Sequence, residues 1–213
     1  MNRELVIASV LLVLFAFSAP IVASAEISVG VEQGDWIEYQ VTYSGTPPEG
    51  HTVKWARIDV GNVQGRSVSL VIAAKMTDDS WRNETFTLNF DAGQLGDKFI
   101  IPADLNVGDT VFDAHQGDTT ISGMEDRTCA GATRTVLSAT TAETTYYWDK
   151  VTGVLLEGNS VHENFTMYTV VDRTSMWQSQ VFGWDSTVFY VVAIGVVAVV
   201  VAVVAFLVVR RKK

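Results

Sequence analysis

Tyr146-Tyr147-Trp148-Asp149-Lys150-Val151-Thr152-Gly153-Val154-Leu155-Leu156-Glu157 reads as two strands and the turn between them. An aromatic strand facing an aliphatic one suits cross-strand packing on a pleated surface. Asp149 is the residue type that bonds backbone amides within a turn, and Gly153 supplies the positive φ that closes it. The same pattern extends outward. Asp35–Tyr43 alternates, with Ile37, Tyr39, Val41 and Tyr43 on one face, and Pro47-Pro48-Glu49-Gly50 ends the run. Val53–Val60 and Arg66–Met76 flank Gly61-Asn62-Val63-Gln64-Gly65 as a hairpin, with Val68, Leu70 and Ile72 sharing a face. Thr77-Asp78-Asp79-Ser80 turns into Trp81–Phe90, where Phe86, Leu88 and Phe90 alternate. Further strands are predicted at Lys98–Ile101, Asp109–Phe112, Thr133–Ala139, Thr144–Trp148, Gly153–Glu157 and Val161–Asp172. Short strands at regular spacing, with no long amphipathic helix pattern, predict an all-β antiparallel domain, either a sandwich or a half-open barrel.

The two ends of the chain are different material. Of 213 residues, 48% are hydrophobic and only 18% charged, against about 25% charged in an ordinary soluble domain. The apolar excess sits in residues 1–25 and 186–213, so the middle suffices for one domain with its own core. Leu5–Phe17 follows a short basic start at Arg3, Pro20 ends any helix, and Ala23-Ser24-Ala25 offers small residues for cleavage. That is a secretory signal over 1–25, with the mature chain starting at Glu26; an uncleaved N-terminal anchor is the alternative.

Val188–Val209 carries no charged side chain, and twelve of its twenty-two residues are valine. As a helix it rises about 33 Å, enough to cross a hydrocarbon core of about 30 Å. In lipid a lone segment has to be helical to pair its own backbone, whatever valine prefers in water. Trp184, Phe189 and Tyr190 mark one interface, and Arg210-Arg211-Lys212-Lys213 marks the cytoplasmic side. The expected order is signal peptide 1–25, extracellular domain 26–172, juxtamembrane linker 173–187, transmembrane helix 188–209 and basic tail 210–213. Phe182-Gly183-Trp184-Asp185 stands where a Pro-Gly-Phe trimming motif would precede the span, so permanent anchoring in the cell membrane is expected.

Charge narrows the partners. The chain is −9 overall, with 15 basic and 24 acidic side chains, and four of the basic ones lie in the last four residues. The acidic remainder repels phosphate backbones, so no nucleic-acid partner is expected. The lipid bilayer is the partner that the span implies. Gly195, Ala198, Ala202 and Ala205 fall on one face of that helix. Small residues in such a stripe let two helices approach closely, which makes the span a candidate homodimer contact.

Gly34-Asp35-Trp36-Ile37-Glu38-Tyr39, Arg127 and Arg134 around Gly131, and the Tyr-Trp-Asp-Lys-x-Thr-Gly-Val-Leu-Leu-Glu hairpin resemble uncharacterised archaeal surface proteins of this size. Those proteins also have a signal peptide and one C-terminal span. A similar aromatic hairpin occurs in half-barrel domains that bind lipid or lipoprotein in other envelopes. Neither resemblance implies a catalytic residue.

Cys129 is the only cysteine, which excludes an intrachain disulfide. It reads as a small buried hydrophobe or, alternatively, as an intermolecular disulfide. Asn83-Glu84-Thr85 and Asn164-Phe165-Thr166 are glycosylation sequons, and strand parity turns both asparagines away from the apolar face. Neither a nucleophile elbow nor a phosphate loop occurs, and His162-Glu163 lacks the second histidine of a zinc-protease motif. Asp113, His115 and Asp118 form one compact metal-like set in a loop, read as solvated side chains, while Asp78-Asp79 and Glu125-Asp126 read as acidic turn pairs. No cofactor is expected. Trp36, Trp55, Trp81 and Trp148 are expected in the core or on a sheet face, or else around a concavity for an apolar or sugar ligand. Met176, Trp177, Val181, Phe182 and Trp184 either dip into the interface or fold back on the domain.

Two functions follow, with a third behind them. The first is a membrane-anchored surface domain, non-catalytic, that binds other envelope proteins or organises the envelope. The second is a half-barrel that binds lipid or another apolar ligand at the membrane surface. An extracellular hydrolase is the third. A cavity of a few hundred Å³ separates the second from the first.

Overall fold

The computed structural model describes residues 27–47 and 52–211, with the side chains of 205–209 and 211 outside the description. The expected signal segment, its cleavage position before Glu26, Pro48-Glu49-Gly50 and the last two lysines lie outside the described residues.

The chain folds as strands β1 (Trp36–Gly45), β2 (Val53–Gln64), β3 (Ser67–Met76), β4 (Trp81–Asn89), β5 (Thr110–Val111), β6 (Thr119–Thr120) and β7 (Gly123–Cys129). They are followed by β8 (Ala132–Thr140), β9 (Thr144–Asp149), β10 (Leu155–Val161), β11 (Phe165–Thr174), β12 (Gln180–Val181), β13 (Trp184–Asp185) and helix α1 (Ser186–Arg211). Nine strands form one antiparallel sheet in the order β4-β3-β2-β1-β11-β10-β9-β8-β7. β4 and β7 are its two free edges, so the sheet is open rather than a closed barrel. Of the two architectures left open by the sequence, it is the half-open one.

Alternation does what the sequence predicts on the inner face. Ile37 and Tyr39 are buried, as are Val68, Leu70 and Leu88, with Phe86 partly so. The outer face carries Trp36, under the Arg57 guanidinium at 4.3 Å, and Glu38, which is buried between Arg57 at 3.1 Å and Arg173 at 2.6 Å. A carboxylate shielded from water needs such partners.

Three sequence-based expectations change. Lys98–Ile101 is not a strand but part of a long segment, residues 90–122, that lies against the inner face and carries only the β5–β6 pair. Val161–Asp172 divides at a turn over 162–164 into the end of β10 and the body of β11. Glu125 and Asp126 lie in strand β7, not in a turn.

The segment 90–122 is a plug. Leu95, Ile100, Ile101, Leu105, Val111 and Ile121 are buried in the same core as Ile58, Val60, Leu70 and Trp148. Ile101 N donates to Gly153 O at 3.0 Å, Asp104 N to Lys150 O at 2.8 Å, and the Trp148 indole to Lys98 O at 2.8 Å. Lys150 Nζ reaches Leu105 O at 2.7 Å. These bonds tie the plug to the β9–β10 turn, the hairpin that marks the sequence. There Asp149 Oδ1 accepts from Thr152 N and Thr152 Oγ1, both at 2.8 Å, and Arg134 grips the same carboxylate at 2.7 and 2.9 Å. Gly153 has φ 72°, and a Cβ there would stand 2.1 Å from Ile101 O. Only glycine allows both the turn and the plug's approach.

The register places the plug at one end of the sheet. Trp36, Gln64, Ser67, Asn89, Cys129, Asp149 and Thr174 are strand ends on the side where α1 departs. Gly45, Val53, Met76, Trp81, Thr140, Thr144, Val161 and Phe165 lie at the other.

Candidate binding cleft on the concave face

Beyond the plug no other described segment covers the inner face, and the sheet's curvature leaves a two-lobed concavity there. The larger lobe is about 600 Å³ and the smaller about 350 Å³; both open to solvent. Asp97, Phe99, Met167 and Thr169 line both, so the lobes are two ends of one cleft. Its walls come mainly from the ends of the strands remote from α1.

The smaller lobe is apolar. Tyr39, Val41 and Tyr43 of β1 form one wall; Val53 and Ala56 of β2 and Ile72, Ala74 and Met76 of β3 form the other. Strand alternation supplies these residues at every second position, with the β2 bulge between Val53 and Trp55 bringing Ala56 inward. Tyr39 donates its hydroxyl proton to Leu155 O at 2.8 Å and stands 5.9 Å from the Phe99 ring. Tyr43 donates to Val53 O at 3.1 Å. Burial pushes both phenols up, so they stay neutral donors at any ordinary pH. Arg82 and Glu84 of β4 close the outer rim.

The larger lobe is mixed, with hydroxyl side chains set among Phe99, Leu155 and Met167. Thr144 and Tyr146 of β9 stand beside their partners Ser160 and Gly158 of β10 in one wall, with Thr141 and Glu143 in the adjoining turn and Thr169 also lining the lobe. The Thr144 and Ser160 hydroxyls bond each other at 2.9 Å. Tyr146 stacks on Trp148 with ring centroids 4.9 Å apart. Asp97 sits where the lobes meet. More than a third of its surface reaches water, yet the walls crowd its carboxyl. That crowding, with the Glu84 and Asp113 carboxylates nearby, holds its pKa above the usual carboxylate range.

Beneath the larger lobe, Lys98 is shut off from solvent. Its Nζ donates to Gln116 Oε1 at 2.9 Å and faces Asp113 Oδ2 at 3.8 Å. Burial lowers its pKa, and Asp113 partly restores it. Asp113 Oδ1 accepts from His115 N and Gln116 N, whereas Oδ2 accepts no hydrogen bond from a described residue.

The remaining sequence candidates lie elsewhere. No group of three metal-ligating side chains comes together among the described residues, and the Asp113, His115 and Asp118 set is no exception. Asn83 is exposed on the outer face of edge strand β4. Asn164 is exposed too, but in the β10–β11 turn rather than by strand parity. Cys129 is a half-buried free thiol whose pKa burial raises. Of the strand tryptophans only Trp148 is in the core, and none of them lines the cleft. Its aromatic walls are Tyr39, Tyr43, Phe99 and Tyr146, the first two read from sequence simply as a buried face. Gly195, Ala198 and Ala202 lie on the exposed surface of α1, and the Ala205 side chain falls outside the description. α1 is long and apolar enough to cross a membrane.

No protein-family model and no curated protein matches this chain. Among solved structures it is similar to the siderocalin Ex-FABP, described as functioning through dual ligand specificities. The identity is 13%, covering 69% of this chain and 76% of that one, with a TM-score of 0.26. At that score the two backbones do not superpose as one shape.

Proposed function

We propose that this chain is a membrane-anchored surface protein whose domain, displayed outside the cell, binds an amphiphilic molecule in the cleft. One observation carries this reading: an apolar lobe of about 350 Å³ joined through Phe99 and Met167 to a hydroxyl-lined lobe of about 600 Å³. Ligand sites fall in the range of about 300–1,000 Å³ and pair apolar walls with a few placed polar groups. The apolar part of the ligand lies between β1 and β3, and its polar part faces Thr144, Tyr146, Ser160 and Thr169.

The cleft is built at the sheet end remote from α1, which fits a ligand taken from outside the anchoring bilayer rather than lifted out of it. An anchored domain that only organises the envelope would not need an uncovered apolar lobe. The signal segment, the outward orientation and glycans at Asn83 and Asn164 belong to this same proposal. Both asparagines lie clear of the cleft lining.

The test is native mass spectrometry of the full chain released from detergent, with a long-chain alcohol added as probe. Wild type should retain one copy, and Ala74→Phe, which fills the apolar lobe, should retain none. Equal retention by both proteins would remove the cleft as the site.

A further inference from the structure

The segment between the sheet and the span is folded, and its tip is built in an unusual way. β12 and β13 pair Val181 with Trp184, leaving a two-residue loop of Phe182 and Gly183 with φ 53° and 79°. Two positive φ values make this a type I′ turn, whose first position normally takes Asn, Asp or Gly. A phenylalanine there is strained. It is also 89% exposed, and Trp184 beside it is 56% exposed. A strained, solvated phenyl serves no packing purpose within the domain.

The hairpin is bonded firmly on both sides. Gln180 N donates to Gly131 O at 2.7 Å, Thr133 N to Gln180 Oε1 at 3.2 Å, and the Trp177 indole to Cys129 O at 3.2 Å. Arg134 lies over the Trp177 ring at 4.7 Å. Met176 and Trp177 therefore fold back on the core. On the other side Ser186 N donates to Ser179 O at 3.0 Å, and Asp185 Oδ1 caps α1 by accepting from Thr187 N and Val188 N. Phe182 stands 5.8 Å from Phe189, in the first turn of the helix, and Phe189 meets Tyr190 edge-on at 5.7 Å.

We propose that the Gln180–Asp185 hairpin is a membrane wedge: Phe182 and Trp184 enter the interfacial layer of the bilayer that α1 crosses. Aromatic side chains favour that layer, and the hairpin is continuous with the apolar helix. Its bonds to the β7–β8 turn then hold the sheet end on at the membrane, with the cleft facing away. This rests on the reading of α1 as a span.

Bromine on lipid acyl chains quenches tryptophan that touches it. The full chain is reconstituted in phosphatidylcholine vesicles brominated near the head-group end of the acyl chains. Wild-type emission should be quenched relative to plain vesicles, Trp184→Phe should lose most of that quenching, and adding Phe182→Trp to it should restore quenching with blue-shifted emission. Both changes keep an aromatic side chain, and a thermal melt matching wild type confirms each fold. If the protein stays with vesicles through an alkaline wash but wild type and Trp184→Phe quench equally, or Trp at 182 emits as in water, the wedge is overturned and the tip faces water or a protein partner. If the wash strips the protein from vesicles, the span reading fails and the wedge falls with it.

Discussion

On β3, Leu70 and Ile72 point to the same concave face two residues apart. Leu70 is fully enclosed in the core that Leu95 and Ile100 complete, whereas Ile72 lies half-buried along the apolar lobe. The strand pattern is the same at both positions, and what differs is the cover. Segment 90–122 spans the α1 end of the face and stops short of the other, so one sheet carries a packed core at one end and an open cleft at the other. The difference is sustained by the β9–β10 turn, which holds the plug by its backbone.

The largest expected effect comes from breaking that hold. Gly153→Val forces a β-branched residue to positive φ and sets its Cβ against Ile101 O. It should cost about 4 kcal/mol, lowering the melting temperature by roughly 10 °C. An unchanged melt would show that the plug does not depend on this turn. Next come the two ends of β3. Leu70→Ala should cost about 3 kcal/mol, as for a well-packed core leucine, and Ile72→Ala about 1 kcal/mol, because its cavity is already open. Equal costs in denaturant titrations would mean that both ends are packed alike.

Ala74→Phe should change stability by less than about 1 kcal/mol, since the lobe accepts the ring without overpacking, while removing amphiphile binding. A large loss of stability would show that the lobe is closed in solution. The smallest effect is one of pH. The raised carboxyl pKa of Asp97 means the folded chain holds this proton more tightly than the unfolded chain does. Its contribution to stability therefore falls as pH climbs from the ordinary carboxylate value through the raised one. Asp97→Asn should flatten the melting temperature across that range.

The sheet was largely legible because Ile37, Tyr39, Val68, Leu70, Phe86 and Leu88 alternate with polar neighbours. Strand β7 was not, since an edge strand reading Met124-Glu125-Asp126-Arg127-Thr128 has no apolar face to betray it. The plug misled for the opposite reason. Phe99-Ile100-Ile101 has the apolar content of a strand, but Lys98 takes a positive φ of 56° and the run crosses the face instead of joining the ladder. The cleft itself could not be read from spacing. Its lining comes from seven strands, the plug and the 141–143 turn; Tyr39 is in the core as its spacing suggests, whereas the half-buried Tyr43 has no described segment over it at the distal end.

The central claim is tested most directly by locating a bound amphiphile on the chain. The full protein in lipid nanodiscs is exposed to a medium-chain alcohol carrying a diazirine, irradiated and digested, and the adducts are mapped by peptide mass spectrometry. Lipid-dissolved probe will mark α1 in every sample and serves as the internal control. Wild type should carry a second set of adducts on Tyr39–Tyr43 and Ile72–Met76, lost in Ala74→Phe. Adducts confined to α1 in both proteins would contradict it.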